Sequence, residues 1–336
     1  QGAPSSPTFS FGGSNRGHTY RYSKSYGGKI DFTSQVNNRH ALKMGLEYRL
    51  DNLNERLFSV LYDDNTYRIP TIGPENSSPS HSYYSKNAIF FSGYIQDKLE
   101  YENFIMNVGI RYDLFDPQSS HIDSLLNPEN SLMKSSKKAM WSPRIGVAYP
   151  ITDEGILHFS YGHFYQMPTM RNLFLKNIFG AGLSPTIGYS DLKPQKTVMY
   201  EFGMQQQLSR FLAINGSIFY KDIRDLLALQ NINYNSPTYG PSSYSIYLNK
   251  DYSMVKGVTL SLTKRRDSST KMSAFLDYSY QITEGNSVAS GSFYFNALTG
   301  QEEEKKIVPL SWDQSHVFNS TVSITEPGIN GWGISL

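Results

Sequence analysis

Apolar and polar residues alternate one for one along much of this chain. Between His40 and Asn52, Leu42, Met44, Leu46, Tyr48 and Leu50 fall on one parity, and Lys43, Gly45, Glu47 and Arg49 on the other. A period of two is the period of a β-strand with one apolar and one polar face. Phe104, Met106, Val108, Ile110, Tyr112 and Leu114 repeat the pattern against Asn107, Gly109, Arg111 and Asp113. So do Leu157, Phe159 and Tyr161 against His158, Ser160 and Gly162, and Met272 to Ile282 against Ser273, Asp277, Ser279 and Gln281. About twelve such strands are predicted, near 18–34, 40–53, 83–99, 103–115, 139–150, 155–165, 195–208, 211–224, 252–264, 270–283, 312–325 and 330–336.

The links between them alternate in length. Short ones at 35–39, 100–102, 151–154, 209–210, 265–269 and 326–329 interleave with long ones at 54–82, 116–138, 166–194, 225–251 and 284–311. Outer-membrane β-barrels have this asymmetry, with tight periplasmic turns on one side and long extracellular loops on the other. In such a wall the polar parity faces a wet lumen, so Lys43, Glu47, Arg49, Arg111 and Glu201 are expected on one interior face. A one-residue slip would turn Lys43 and Arg49 into lipid at roughly 2–4 kcal/mol each near the midplane, which fixes register. The fold class is therefore all-β, an antiparallel transmembrane barrel. Because an open edge in hydrocarbon strands unpaired backbone groups, twelve strands are read as part of a larger barrel.

Composition narrows this picture. Phe, Tyr and Trp number 19, 25 and 3, a bias that suits pleated, half-buried surfaces. The mean hydropathy is −0.44, and no run approaches the ~18 apolar residues of a spanning helix. With 31 basic and 29 acidic residues the net charge is +2, which gives no nucleic-acid footprint. Cysteine is absent, which removes disulfides and thiolate sites from this chain. An aromatic belt at the membrane interface is expected from Tyr112, Phe115, Tyr161, Phe164, Tyr165, Tyr278 and Tyr280.

Three stretches then carry a resemblance. Ser142 to Ile151 (SPRIGVAYPI), Tyr161 to Pro168 (YGHFYQMP) and Leu192 to Gly203 (LKPQKTVMYEFG) fall in the order seen in the barrel of TonB-dependent outer-membrane receptors, which the chain resembles. YIQDKLE at 94–100, GIRYD at 109–113, YKDIRDL at 220–226 and WDQSH at 312–316 look like the subgroup with carboxypeptidase-regulatory-like N-terminal domains. Gln195 and Tyr189-Ser190 depart from the family's usual residues at that loop. The resemblance implies that residues 1–336 are part of a receptor barrel of about 22 strands, with the plug domain and terminal strands outside the chain. It also implies energy-coupled uptake of a scarce nutrient (siderophore, vitamin, glycan or peptide). The implied partners are outer-membrane lipid, the receptor's own plug, an unknown nutrient ligand and a TonB-type complex acting through an upstream segment. The implied location is the outer membrane of a Gram-negative bacterium. A passive porin or adhesin-like barrel is the alternative; an outer-membrane protease or acyltransferase is a third reading.

Candidate chemistry is sparse. The seven His residues show no metal-ligand spacing, and His158 and His163 fall on opposite strand faces. Asp313 and His316 lie close in sequence without a serine elbow, so a structural hydrogen bond is expected. No catalytic, cofactor or metal residue is assigned, no cofactor is expected, and substrate-binding residues stay open. Glu201 is weighed as a paired wall carboxylate against a contact for plug or substrate. Lys193-Pro194 suits the rim where a long loop enters a strand. Tyr234, Tyr239, Tyr244 and Tyr247 with Asn231, Asn233 and Asn235 are expected as disordered loop decoration, with a binding surface as the alternative. Met170 to Phe179 is expected as a short helix capping the lumen mouth, and Glu302 to Lys306 as a solvated charge run.

Overall fold

The structure is a computed structural model that describes residues 16–63, 66–70, 81–128, 131–175, 186–237, 240–267, 270–286, 307–326 and 331–336. One antiparallel sheet dominates it. Its twelve-strand path runs β1 (Gly17–Asn37), β2 (His40–Ser59), β5 (His81–Tyr101), β6 (Phe104–Asp116), β9 (Lys138–Thr152), β10 (Gly155–Gln166), β12 (Gln195–Ser209), β13 (Leu212–Ser236), β14 (Gly240–Lys264), β15 (Met272–Gly285), β17 (His316–Thr325) and β18 (Gly333–Ser335). Each strand pairs with its predecessor along this path, as a meander requires. Smaller strands sit in the long connections: β3 (Leu61–Asp63) with β4 (Thr66–Arg68), β7 (Ser120–Ile122) with β8 (Leu132–Lys134), β11 (Thr186–Ile187) parallel to β14, and β16 (Val308–Pro309) against β15. The sheet is open, with β1 bonded only to β2 and β18 only to β17. No helix among the described residues is long and apolar enough to cross a membrane.

Register carries the two-faced pattern from strand to strand. Cross-strand partners share a face, and Lys43 pairs Gln96, which pairs Gly109, then Arg144, Gly162, Met199 and Lys221. Glu47 pairs Ser92 and thence Asp113, Arg49 pairs Phe90, Arg111 pairs Ser142, and Glu201 pairs Ser160. All five residues expected inside therefore share one face. The opposite face is apolar and uncovered: Leu46 is 57%, Phe202 48%, Ile218 55% and Phe318 64% exposed. Leaving each such side chain in water forgoes about 1.5–3 kcal/mol, so a continuous apolar face of this kind is built to be covered, as the lipid-facing side of a barrel wall is. On β2 the apolar band runs from Leu42 to Leu50, nine residues, the span of a tilted transmembrane strand, ~9–11 residues. Beyond it the same face turns polar. His40 meets Asp97 at 2.7 Å at one end, and Asn52, Asn54 and Asn87 hydrogen-bond one another at the other, at 2.7 and 2.8 Å.

The short turns satisfy themselves. Asn37 Oδ1 accepts from the Arg39 and His40 amides at 2.8 and 3.0 Å, and Asp267 accepts from the Thr270 amide and Lys264 Nζ at 2.6 and 2.7 Å. Asx side chains that bond the backbone a few residues on are how tight turns close without help.

Two expectations fail here. The segment 225–251 is not a loop: β13 and β14 run on as a paired hairpin well past the membrane band. Its signal is masked because a bulge between Ile223 and Leu226, with Asp225 at φ 59°, breaks the alternation. The aromatic belt also loses members. Tyr112 packs on Trp141 at 4.7 Å and Tyr161 on Tyr200 at 5.0 Å outside, with Tyr278 and Tyr280 beside His316. Phe115, however, is fully buried inside the mouth, Phe164 faces the lumen under Arg144, and Tyr165 packs toward the mouth cluster. Phe115 and Phe164 carry the parity of Arg111 and His158, so register decides against their hydrophobicity.

Candidate functional site: the outer mouth and the lumenal wall

The outer ends of the strands are closed over by their own connections. Thr169 caps a one-turn helix, α1 (Met170–Phe174), by accepting from the Asn172 amide, and the helix turns Leu173 and Phe174 onto the inner wall. There they join Tyr84, Ala88, Phe115, Met140 and Leu192 in a buried cluster. The expected helix is thus present over 170–174 and packs at the lumen mouth; the part predicted over 176–179 lies outside the described residues. The chain returning to β12 is stitched beneath it. Gly188 N donates to Leu175 O at 2.6 Å and Tyr189 N to Asn172 O at 2.9 Å. A Cβ on Gly188 would lie 2.6 Å from Leu175 N and 2.9 Å from Leu173 O, so this approach requires glycine.

Asp191 ties this connection to the base of β9. It accepts from Lys138 Nζ at 2.7 Å, Ser136 N at 2.8 Å and Ser136 Oγ at 2.7 Å. Burial pushes the Asp191 carboxyl up, but the hydrogen bonds from Lys138 and Ser136 and the Lys138 charge outweigh it and hold it below the usual value. Burial, with Asp191 and Asp123 nearby, pushes the Tyr189 phenol up. Ser190 Oγ bonds Ser135 Oγ at 2.6 Å and Ser120 O at 3.0 Å. Asn249 grips Lys193 through both backbone groups, at 2.8 and 3.0 Å, just before β12 begins, which places Lys193-Pro194 at the rim as expected.

The extended hairpin supplies the second buried cluster: Ile187, Ile232, Tyr234, Tyr244 and Ile246. Tyr244 is fully buried and donates to Leu125 O at 2.7 Å, while Tyr247 packs on the first cluster. These tyrosines are packing and bonding groups, which corrects their reading as loop decoration. Tyr239 and Glu302 to Lys306 lie outside the described residues. Three connections that are distant in sequence therefore form one packed cap, and nothing in local sequence marks the Asp191–Lys138 pairing across 53 residues.

Below the cap the wall is polar and mostly paired. Lys29 meets Asp31 at 2.8 Å, Arg49 meets Asp51 at 3.2 Å, and Arg111 meets Asp113 at 2.7 Å. Glu201 lies 3.6 Å from His158 on the same face, which makes it a wall carboxylate with a partner. His163 instead bonds Tyr161 outside, at 2.7 Å. Asp313 accepts from Thr283 N and Ser315 Oγ, both at 2.9 Å, whereas His316 bonds Tyr278. The two therefore make separate structural contacts. No group of potential metal ligands occurs among the described residues. A concavity of about 700 Å³ opens on the wall around Arg144, lined by Lys43, Tyr94, Arg111, Ser160 and Phe164 among others. A smaller one, about 270 Å³, lies between Arg49, Phe90, Met140 and Met167 under the cap.

Similarity to known proteins agrees with this architecture. The copper transporter OprC superposes at a TM-score of 0.59 with 14% identity, over 94% of this chain and 43% of that one. The FrpB iron transporter from Neisseria meningitidis (F3-3 variant) gives 0.58 at 15%, over 93% and 42%. The outer membrane transporter YddB from Escherichia coli gives 0.61 at 15%, over 92% and 40%. At such identities the likeness shows the fold, and the chain spans about two fifths of each of these structures. No curated protein matches the chain. The family described as TonB dependent receptor-like, beta-barrel matches residues 2–320, without distinguishing the carboxypeptidase-regulatory-like subgroup. An alternating wall, a cap of long connections and a match across nearly the whole sequence lead to one assignment: this chain belongs to the TonB-dependent receptor β-barrel family.

Proposed function

We propose that this chain forms wall and extracellular cap of an outer-membrane receptor that takes up a scarce nutrient by binding and gated passage, without chemistry of its own. The observation that carries this is the packed cap over a polar lumen. A passive pore gains nothing from three connections sealed together at its mouth, whereas a receptor needs a shaped outer surface and a closed resting state. Family membership supports the same reading. The open edges of β1 and β18 would each leave backbone groups unpaired in lipid at several kcal/mol apiece. Further strands of the same receptor, to about 22, and a plug domain within the lumen complete it in this proposal. A TonB-type complex drives release through a segment of the receptor upstream of this wall, and the location is the outer membrane of a Gram-negative bacterium.

The test is deletion of the gene, followed by uptake assays over metal complexes, vitamins, glycans and peptides, with and without a protonophore. Loss of one uptake activity that also collapses when the proton gradient is dissipated supports the proposal. Uptake that persists without the gradient, scaling with external concentration, would replace it with a passive pore.

A further inference from the structure

We propose that the lumenal wall carries an anion-docking row, Lys43–Arg144–Lys221, that takes carboxylate groups of the cargo on its way through the barrel. This rests on the reading of the lumen as a cargo path and adds the chemistry of what passes.

The row follows from register. Lys43, Gln96, Gly109, Arg144, Gly162, Met199 and Lys221 are successive cross-strand partners on the interior face, so the three cations lie on one line across the sheet, three strands apart. At about 4.8 Å per strand the spacing is ~14 Å along the wall. That exceeds the ~8 Å Debye length at physiological salt, so each acts as a separate contact. Elsewhere at membrane level the interior cations have carboxylates two residues along their own strands: Lys29 with Asp31, Arg49 with Asp51, Arg111 with Asp113. None of the three row cations has an ion-pair partner among the described residues, and the row contains no carboxylate.

The acids facing them are engaged elsewhere. Asp31 meets Lys29 at 2.8 Å and accepts from the Tyr94 hydroxyl at 2.9 Å, Glu201 lies 3.6 Å from His158, and Asp277 accepts from Ser261 Oγ at 2.7 Å, while Glu47 stands four residues along β2 from Lys43. Two of the row cations lie against aromatic faces instead. The Arg144 guanidinium stacks over Phe164 at 4.7 Å, and Lys221 Nζ lies 5.1 Å from the Phe219 ring centroid. A cation on a ring keeps its charge and its outward N–H groups for another partner.

Room for that partner is built into the wall. Arg144 pairs with Gly109 on one side and Gly162 on the other, and a side chain at Gly146 would meet nothing within 4 Å. The resulting concavity, about 700 Å³, is of small-molecule size, and Lys43, Arg111 and Arg144 all open into it. A planar guanidinium backed by a phenyl ring and flanked by bare backbone suits a carboxylate on an apolar body.

Because this chain has no cysteine, the potential at the row can be read with a thiol introduced into the wall, against the unsubstituted receptor as background. The intact receptor carrying Gly146→Cys is treated in outer membranes with methanethiosulfonates bearing a sulfonate or a trimethylammonium group, with and without citrate. Ser279→Cys, on the same face away from the row, reports lumenal access. The proposal predicts that the sulfonate reagent outpaces the cationic one about tenfold or more at Gly146→Cys relative to Ser279→Cys. Citrate should slow this labelling, and Lys43→Gln/Arg144→Gln/Lys221→Gln should abolish both effects. An unchanged preference in the triple variant, or no protection by citrate, overturns the row. If Ser279→Cys labels and Gly146→Cys labels with neither reagent, the row is covered by protein and the cargo assignment fails. If neither position labels at rest or during energised uptake, no solute path runs along this wall and the cargo path falls with it.

Discussion

At the scale of single residues, the cap is held by contacts that tolerate little change. Gly188 is the sharpest case, because its Cα faces the backbone of Leu173 and Leu175 at distances that leave no room for a methyl group. Gly188→Ala must push the α1 turn away from the returning chain, at about 1–3 kcal/mol for overpacking of this kind. Faster amide exchange over 169–175 and 186–192 with unchanged exchange in the sheet is the expected result. Asp191 makes the cap sensitive to acid. Its carboxyl is held below the ordinary 3.8, so its contribution is fully present above that value and is lost as pH falls through the lower folded value. Cap protection, followed by limited proteolysis, should hold from about pH 7 to about pH 5 and decline below about pH 4. In Asp191→Asn the protection should be weaker at neutral pH, and the acid step should be smaller.

At the scale of elements, the hairpin β13–β14 decides whether the cap is one body or several loops. Tyr244 connects it to the β7–β8 connection through buried ring contacts and the hydroxyl bond to Leu125 O. Tyr244→Ala should cost about 3–5 kcal/mol locally and expose both the 116–138 and 225–251 segments to protease together. Tyr244→Phe removes only the hydrogen bond, about 0.5–1.5 kcal/mol, and should leave the two segments protected. Independent loops would respond one at a time.

The sheet itself was legible because period two is printed directly in the side chains: Leu42 to Leu50, Phe104 to Leu114 and Met272 to Ile282 each announce both faces. The hairpin was not, because Asp225 and the bulge shift parity, so the Asn231 to Asn235 alternation beyond it does not continue the faces set up before Ile223. Phe115 and Phe164 misled for a related reason. Residue type suggested the lipid belt, yet their parity was already that of the lumen. The cap's polar ties, Asp191 with Lys138 and Asn249 with Lys193, join residues that only the folded wall brings together.

At the scale of the molecule, all of this depends on which solvent each face meets. The outward face gains from lipid what it would lose in water, while the inward face keeps its ion pairs solvated, and the meander carries that division from β1 to β18. Period-two register makes the division discrete: no strand can be half turned. The most direct test is a nitroxide scan of residues 42–50 of β2 in the intact receptor in bilayers, comparing collision with oxygen, which partitions into lipid, and with a water-soluble nickel chelate. Nickel access should peak at 43, 45, 47 and 49 and oxygen access at 42, 44, 46, 48 and 50. A smooth profile with no alternation, or nickel access equal on both parities, would contradict a lipid-facing wall.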